Sequence, residues 1–323
     1  MTAIISDIEE KILAGDTITL DDALFISSVS GQDIFDLFSS ANRIRRHFRG
    51  GSVDLCSIIN AKSGACQEDC AYCAQSLKSS ADIKTFPLIE KERVVEKAIE
   101  AKRGGAKRFC IVTSGRKVYG KDIERIAEMV REVRLAGLLP CATLGLMSND
   151  ELQFLKDSGL ERFHHNIETS ESFFPRICST HTYKDKIETI DAVKSVGLSL
   201  CSGGIFGLGE TWQDRVDMAF ALKEIRAESV PINFLTPIKG TSLGSRRPLD
   251  PLDALKVISL FRFVMPDREI RVCGGRMQTL GEFNSFLFFA GADGLLIGNY
   301  LTTIGRSYEE DLRLIHQIGL KAY

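Results

Sequence analysis

Apolar residues recur at roughly helical spacing over the first fifty positions: Ile8, Ile12, Leu20, Ala23, Leu24, Ile26, Phe35, Leu37, Phe38 and Ile44. This spacing puts them on one face of successive short helices. Gly15-Asp16 and Gly31-Gln32 supply the breaks. From about residue 53 the texture changes, and short apolar runs alternate with charged stretches of helical period. The runs predict strands over 53–59, 108–113, 139–144, 162–167, 198–206, 229–234, 270–273 and 294–297. The stretches between them predict helices over 90–103, 121–136, 149–158, 184–196, 212–226 and 250–263. Asn149-Asp150 opens one of these, and Gly104-Gly105, Gly137, Gly159 and Gly197 close others.

Strands alternating with helices read as parallel β/α units. Eight of them is the number that closes a TIM-type (β/α)8 barrel. The competing α/β architecture is an open doubly wound sheet. A Gly-x-Gly-x-x-Gly turn after the first strand would mark it, and none is there. The expected organisation is an N-terminal helical extension over 1–50 and a barrel domain over 51–323.

Composition narrows the class of protein. The chain of 323 residues is 44% apolar, enough for a large core. A net charge of −2 offers no general affinity for nucleic acid. The longest greasy region, 286–297, is interrupted by Gly291, Asp293 and Gly294, so no membrane partner is expected. The N-terminus lacks a basic region followed by an apolar run, so it does not read as a signal peptide, and a cytoplasmic location is expected. Nine cysteines, an odd count without an export signal, argue against a disulfide framework. They are left for packing, metal or catalysis.

Cys66, Cys70 and Cys73 form C-x3-C-x2-C in the loop after the first predicted strand. In a barrel that loop lies on the face that carries active sites. Thiolates are the usual ligands of iron–sulfur clusters. Three of them can hold three irons of a cubane and leave the fourth open to an amino acid's amino and carboxylate groups. Zinc would want a fourth ligand, and no Cys or His follows at zinc-ribbon spacing. Simple packing suits poorly a polar loop containing Gly64, Asp69, Gln75 and Ser76.

With Tyr72 directly before the last cysteine, the loop resembles the radical S-adenosylmethionine (SAM) superfamily. The resemblance implies an enzyme with a 4Fe-4S cluster on Cys66, Cys70 and Cys73. In that superfamily the reduced cluster passes one electron to the sulfonium of SAM. Methionine leaves, and a 5′-deoxyadenosyl radical remains. From about residue 50 onward the chain further resembles the biotin synthase family. The matching segments are CSIINAKSGACQEDCAYCAQS (56–76), RFCIV (108–112), CATLG (141–145), HNIETS (165–170), CSGGIFGLGET (201–211), ESVPINFL (228–235) and IRVCGGR (270–276). This implies sulfur insertion into dethiobiotin, with the sulfur drawn from an auxiliary iron–sulfur cluster deep in the barrel. An electron donor of the flavodoxin or ferredoxin type and a homodimer are also expected.

Cys110, Cys141, Cys201 and Cys273 each fall in a different predicted strand. Facing inward around one axis, they would converge on a buried cluster. The alternative is that free cysteine is simply a common buried residue. In the resemblance, Cys110, Cys141 and Cys201 match auxiliary-cluster ligands, and Arg271 matches the family's arginine ligand. Cys273 departs from the family pattern. It lies two residues from Arg271, hence on the same strand face. It is expected to be a fourth thiolate that displaces or supplements Arg271, in a 4Fe-type cluster rather than the 2Fe-2S cluster usual in the family. The alternative is a small apolar residue beside the cluster. Cys56 and Cys178 match no family ligand and are expected to pack.

The glycine-rich turn after the fifth strand lets backbone approach a ligand. The resemblance places adenine near Ile205 and Gly207. Asn166 and Glu168 suit ribose hydroxyls, as an amide beside a carboxylate does; a helix-capping cluster is the alternative. Lys186 stands where the family often has an arginine near the methionine carboxylate, and it gives no bidentate pair. Asn233 is implied to contact the ureido ring of dethiobiotin; a buried structural amide is the alternative. His164 replaces the family's substrate-contacting amide, and His165 reads equally as a core histidine. Two other functions stay in competition. One is another radical enzyme of this barrel type, of the hydrogenase-maturase or methylornithine-synthase kind. The other is a non-catalytic iron–sulfur carrier. The barrel cysteines favour sulfur donation, and Glu210, Asn166 and Glu168 favour a small-molecule site.

Overall fold

The computed structural model describes residues 2–301 and 305–322. Helices α1 (Thr2–Leu13), α2 (Leu20–Ser28) and α3 (Asp33–Arg49) form the N-terminal segment. Gly15 and Gly31 have the left-handed φ values, 95° and 63°, at the two breaks. Thr19 and Asp22 form a reciprocal capping box at the start of α2. Ile5, Ile8, Ile12, Ile26, Leu37, Phe38 and Ile44 are buried, and the helices pack against one another and the barrel's outer helices.

The barrel then runs β1 (Ser52–Lys62), α4 (Lys91–Arg103), β2 (Arg108–Thr113), α5 (Lys121–Leu135), β3 (Leu139–Thr143), α6 (Asn149–Asp157) and β4 (Arg162–His164). It continues with α7 (Tyr183–Ser195), β5 (Ser199–Cys201), β6 (Gly204–Phe206), α8 (Trp212–Glu224), β7 (Ser229–Phe234), α9 (Pro251–Val264) and β8 (Glu269–Val272). The last elements are α10 (Arg276–Leu280), α11 (Phe286–Phe289), β9 (Gly294–Leu296), α12 (Tyr308–Gln317) and β10 (Lys321–Ala322). Every barrel pairing is parallel, and β1 pairs with β2 on one side and β9 on the other, which closes the ring. The expected (β/α)8 barrel is therefore the observed fold. The short β10 lies outside it, paired with the start of β1.

Several boundaries differ from expectation, each for a local reason. The fifth predicted strand is two strands sharing one place, because the chain breaks at Ser202-Gly203, where Gly203 N–H donates to the Asn166 side chain at 3.1 Å. The fourth strand ends at His164 rather than 167. Beyond it a side-chain carbonyl stands in for a ladder acceptor, and Glu168 turns to a left-handed φ of 70°. Helix α6 is capped by Ser148, whose N–H donates to Glu151 at 2.8 Å, so Asn149-Asp150 lie inside the helix.

Asp293, just ahead of β9, ties the N-terminal helices to the barrel. Its carboxylate accepts from Arg49 Nε at 2.6 Å, Arg262 Nη2 at 2.5 Å and Ile270 N–H at 2.8 Å. Arg262 is fully buried. Removing one partner of a buried pair leaves an uncompensated charge, which costs about 3–5 kcal/mol. Asp293→Ala is therefore expected to lower the free energy of unfolding by about that much, read from urea denaturation curves.

Candidate active site

A cavity of about 360 Å³ fills the barrel axis. Alternate residues of the strands line it, as the two-residue period requires. They include Cys56 and Ile58 of β1, Cys110 and Val112 of β2, and Cys141 and Thr143 of β3. Arg162 and His164 of β4, Cys201 of β5, Asn233 of β7 and Arg271 of β8 continue the wall. Cys110 and Cys141 are register partners on neighbouring strands, and their thiols hydrogen-bond. Cys273 lines the cavity from one residue past the end of β8, its N–H held by the Ile232 carbonyl at 2.9 Å. Cys56, expected only to pack, faces the same chamber. Five thiols thus share one enclosure.

Charge is concentrated below these thiols. Arg271 donates to Asp54 Oδ1 at 2.5 Å, to the Asp54 and Leu295 carbonyls at 3.2 Å, and to Glu269. Glu269 also accepts from Arg162 at 3.3 Å and from Ser229 at 2.6 Å. Burial pushes the Cys56 and Cys201 thiols up to about 12. The Cys141 thiol is held below its ordinary value by the hydrogen bond from Cys110 and then by Arg162, Arg108 and Arg271. Arg108 lines the chamber with its Nε buried and unpartnered. An enclosure of thiols with spare cationic hydrogen-bonding capacity fits an anionic thiolate-bound cluster.

A polar thread runs along the wall from the thiols toward the mouth. Cys110 Sγ lies 3.5 Å from Thr143 Oγ1, which lies 2.8 Å from His164 Nδ1. His164 Nε2 lies 2.8 Å from Asn166 Oδ1, and Asn166 Nδ2 donates to Glu168 at 3.4 Å. An amide oxygen only accepts, so Nε2 carries the proton and Nδ1 accepts from Thr143. Tyr72 hydrogen-bonds to Glu168 and lines the cavity with it. Burial raises the Glu168 carboxyl, opposed by the charge of Lys186. Lys186 sits on the first turns of α7 outside the cavity wall.

Cys66, Cys70 and Cys73 lie in the loop after β1, beside the mouth. Cys66 N–H donates to the Gln75 carbonyl at 3.1 Å and Cys73 N–H to the Cys70 carbonyl at 2.9 Å, which fixes the turn. The Cys70 thiol is raised by its hydrogen bond to Cys178 and by burial. Cys73 is raised by burial and by Cys66. Thiols that disfavour one another's ionisation fit a polycationic iron centre, which removes that repulsion. Cys178, expected to pack, lies 3.8 Å from Cys70.

Other expected contacts divide. Ile205 and Asn233 line the cavity, and Asn233 is fixed by the Gly204 carbonyl at 3.1 Å and Gly274 N–H at 3.0 Å. Gly207 does not line it, and its N–H donates to Glu210 at 2.9 Å. Glu210 also accepts from Gly209 N–H and Arg215 Nε, so it pins the glycine turn instead of facing a ligand. His165 is buried against Phe163, its Nε2 without a partner.

The model of the Radical SAM superfamily matches residues 61–222, and that of the Biotin and Thiamin Synthesis associated domain matches 231–321. The fold and the cysteine loop thus define a radical SAM barrel enzyme. The chain is 51% identical to biotin synthase from Thermodesulfovibrio yellowstonii over 92% of this chain and 93% of that one. It is 45% identical to biotin synthase from Geobacter metallireducens over 96% and 95%. The chain belongs to the biotin synthase family. Among solved structures, a methylornithine synthase superposes with a TM-score of 0.86 at 20% identity, covering 98% of this chain and 97% of that one. The FeFe-hydrogenase maturase HydG gives 0.85 at 17%, covering 100% and 76%. These two share the fold.

Burial holds the His164 ring down to about 4. The unfolded ring titrates near 6.5. Between those values the unfolded chain binds a proton that the folded one does not, so stability is complete above pH 6.5 and falls as the pH drops toward about 4. His164→Asn, which removes this titration, is expected to reduce the slope of that part of the stability profile of the cluster-free protein, the buried His165 ring, also held well below 6.5, supplying the rest. Ring-labelled NMR should show the Nε2–H tautomer of His164 unchanged from pH 8 to about 5.5.

Proposed function

We propose that this enzyme performs its radical sulfur insertion along the axis of the barrel, with SAM at the mouth and dethiobiotin between SAM and the buried thiols. The carrying observation is that one cavity wall runs without interruption from Tyr72 and Glu168 to Cys110 and Cys141. The 4Fe-4S cluster, when held by Cys66, Cys70 and Cys73, supplies the electron that cleaves SAM, and an auxiliary cluster supplies the sulfur. Glu168 accepts from the ribose hydroxyls, oriented by Asn166. Lys186 balances the methionine carboxylate across the mouth. Ile205 backs the adenine, with the Gly207 turn behind it. Asn233 is already fixed by two backbone bonds, which leaves one N–H and one carbonyl lone pair for the ureido ring. His164 and Asn166 complete that contact.

For the auxiliary cluster we assign Cys110, Cys141, Cys201 and Cys273. The Arg271 guanidinium is engaged by two carboxylates and two carbonyls, which supports a thiol rather than Arg271 closing the ligand set. Four thiolates suit a 4Fe-type cluster. From the family we carry over a flavodoxin- or ferredoxin-type donor, a homodimer and a cytoplasmic location; among the described residues no helix is long and apolar enough to cross a membrane. We also place the boundary of the N-terminal helical unit near residue 50.

Anaerobic incubation with SAM, a reductant and dethiobiotin is expected to yield biotin. Methionine and 5′-deoxyadenosine without biotin would point to another substrate. Mössbauer spectra of anaerobically purified protein are expected to change at the auxiliary site in Cys273→Ser, with iron lost per chain. A 2Fe-2S signal indifferent to that substitution would overturn the assignment of Cys273.

A further inference from the structure

Cys178, on the segment between β4 and α7, faces Cys70 of the cysteine loop, and the sulfur insertion described above does not use it. The residues on either side of each cysteine hold the two segments together. Asp69 Oδ1 accepts from Ser179 N–H at 2.9 Å, and Ala71 N–H donates to the Ile177 carbonyl at 2.8 Å. Cys70 and Cys178 therefore stand opposite one another, as paired residues of two antiparallel strands do. Glu68 adds a further tie, accepting from Thr180 Oγ1 at 2.5 Å. The Cys178 S–H donates to Asp69 Oδ1 at 3.3 Å, which keeps its sulfur on the loop side.

The Cys70 and Cys178 sulfurs are 3.8 Å apart. A disulfide holds its sulfurs at about 2.0 Å, and closing the gap asks only for side-chain rotation, since the backbones are already tied. The loop's own sulfurs are more widely spread. Among the described residues Cys66, Cys70 and Cys73 do not gather within 4.8 Å of one another, whereas Cys70, Cys178 and His181 do. Exposure is unequal as well: Cys70 is partly exposed and Cys178 is buried. An oxidant arriving from solvent meets Cys70 first.

We propose that Cys178 is a resolving thiol for Cys70, protecting the loop while it carries no cluster, with hydrogen peroxide as the oxidant. The Cys70 sulfur takes one peroxide oxygen, the O–O bond breaks and one water leaves, so Cys70 becomes a sulfenic acid. The Cys178 sulfur then attacks the Cys70 sulfur. An S–S bond forms, the S–O bond breaks, and the hydroxyl leaves as water with the Cys178 proton. Two thiols and one peroxide give one disulfide and two waters. The disulfide stops Cys70 short of the sulfinic acid, which thiols do not reduce. Thiol exchange returns it to a metal-binding thiol. With iron bound, the Cys70 sulfur is occupied and the bridge does not form. The protective role rests on the assignment of Cys70 to the SAM-cleaving cluster.

Peroxide treatment of the reduced, cluster-free full-length protein tests it. Wild type is expected to yield a peptide pair joining Cys70 to Cys178, seen by mass spectrometry and split by dithiothreitol. Cys178→Ser is expected to carry Cys70 on to a sulfinic acid that dithiothreitol does not reverse, and Cys178→Ala to do the same. After dithiothreitol and anaerobic rebuilding of the clusters, SAM cleavage to 5′-deoxyadenosine should return to its untreated level in wild type. In Cys178→Ser it should return to under about half of that variant's own untreated level. Circular dichroism checks that each variant is folded. A bridge from Cys70 to Cys66 or Cys73 in the wild type would overturn the proposal. So would a Cys70 that dithiothreitol restores in full in both variants. Untreated wild type that cleaves no SAM would instead count against the cluster assignment, and the bridge is read separately by mass.

Discussion

The ionic floor of the barrel, Asp54–Arg271–Glu269–Arg162, is the interaction on which the chamber above it depends. Two cations and two anions are almost wholly withdrawn from water. Each is expensive to bury alone, and the set survives because every member is paired and hydrogen-bonded. Glu269 sits well below the usual carboxylate range: burial would raise it, but Arg271 and Arg162 outweigh burial. The floor is balanced within itself, yet its two arginines still act on the thiols above and help to hold Cys141 below its ordinary value. The strand ladder sets its geometry, with Ser229 opposite Glu269, Pro231 opposite Arg271 and Cys141 opposite Arg162. A slip of one residue in β8 would turn Arg271 and Glu269 outward together.

This balance also sets apart an arginine and a cysteine two residues apart on one strand face. Arg271 and Cys273 line the same cavity. Arg271 reaches down into the floor, to Asp54 and Glu269. Cys273 has no comparable claim on it: its thiol makes a long hydrogen bond to the Arg271 carbonyl at 4.0 Å. The guanidinium is held by the floor, and the thiol is not. An arginine without Asp54 and Glu269 beneath it would have a different balance of roles.

The barrel was legible in the sequence because its strands, covered on both faces, read as continuous apolar runs and its helices as periodic charged ones. The triad was legible because spacing alone defines it. What escaped were effects of residues far apart in sequence. The early end of β4 and the split at Ser202-Gly203 are one event, created by the Asn166 side chain reaching across to Gly203. The inward facing of Cys56 follows from register, which β1 shares with two neighbours. The approach of Cys178 to the triad depends on Asp69 and Glu68, which hold its segment there. Glu210 misled for the opposite reason: a carboxylate at a strand end looks like a ligand contact, yet three donors of its own turn and helix consume it.

The wall between the two ends is the remaining constraint. Thr143, His164, Asn166 and Glu168 form one hydrogen-bonded line in which each donor's direction sets the next. A neutral histidine satisfies such a line at both ring nitrogens, donating from Nε2 and accepting at Nδ1. An amide at the same position would also offer one donor and one acceptor, on a single branch point rather than across a ring. The line ends on Glu168, held at a left-handed φ that a non-glycine residue adopts only when its surroundings enforce it. Here they do so from both sides, since Glu168 N–H donates to the Gly203 carbonyl at 3.1 Å and its own carbonyl accepts from Ile205 N–H at 2.9 Å. The carboxylate at the mouth is therefore positioned by backbone behind it and by a side-chain line rooted at the thiols. A group bound at either end meets a wall whose geometry is already fixed.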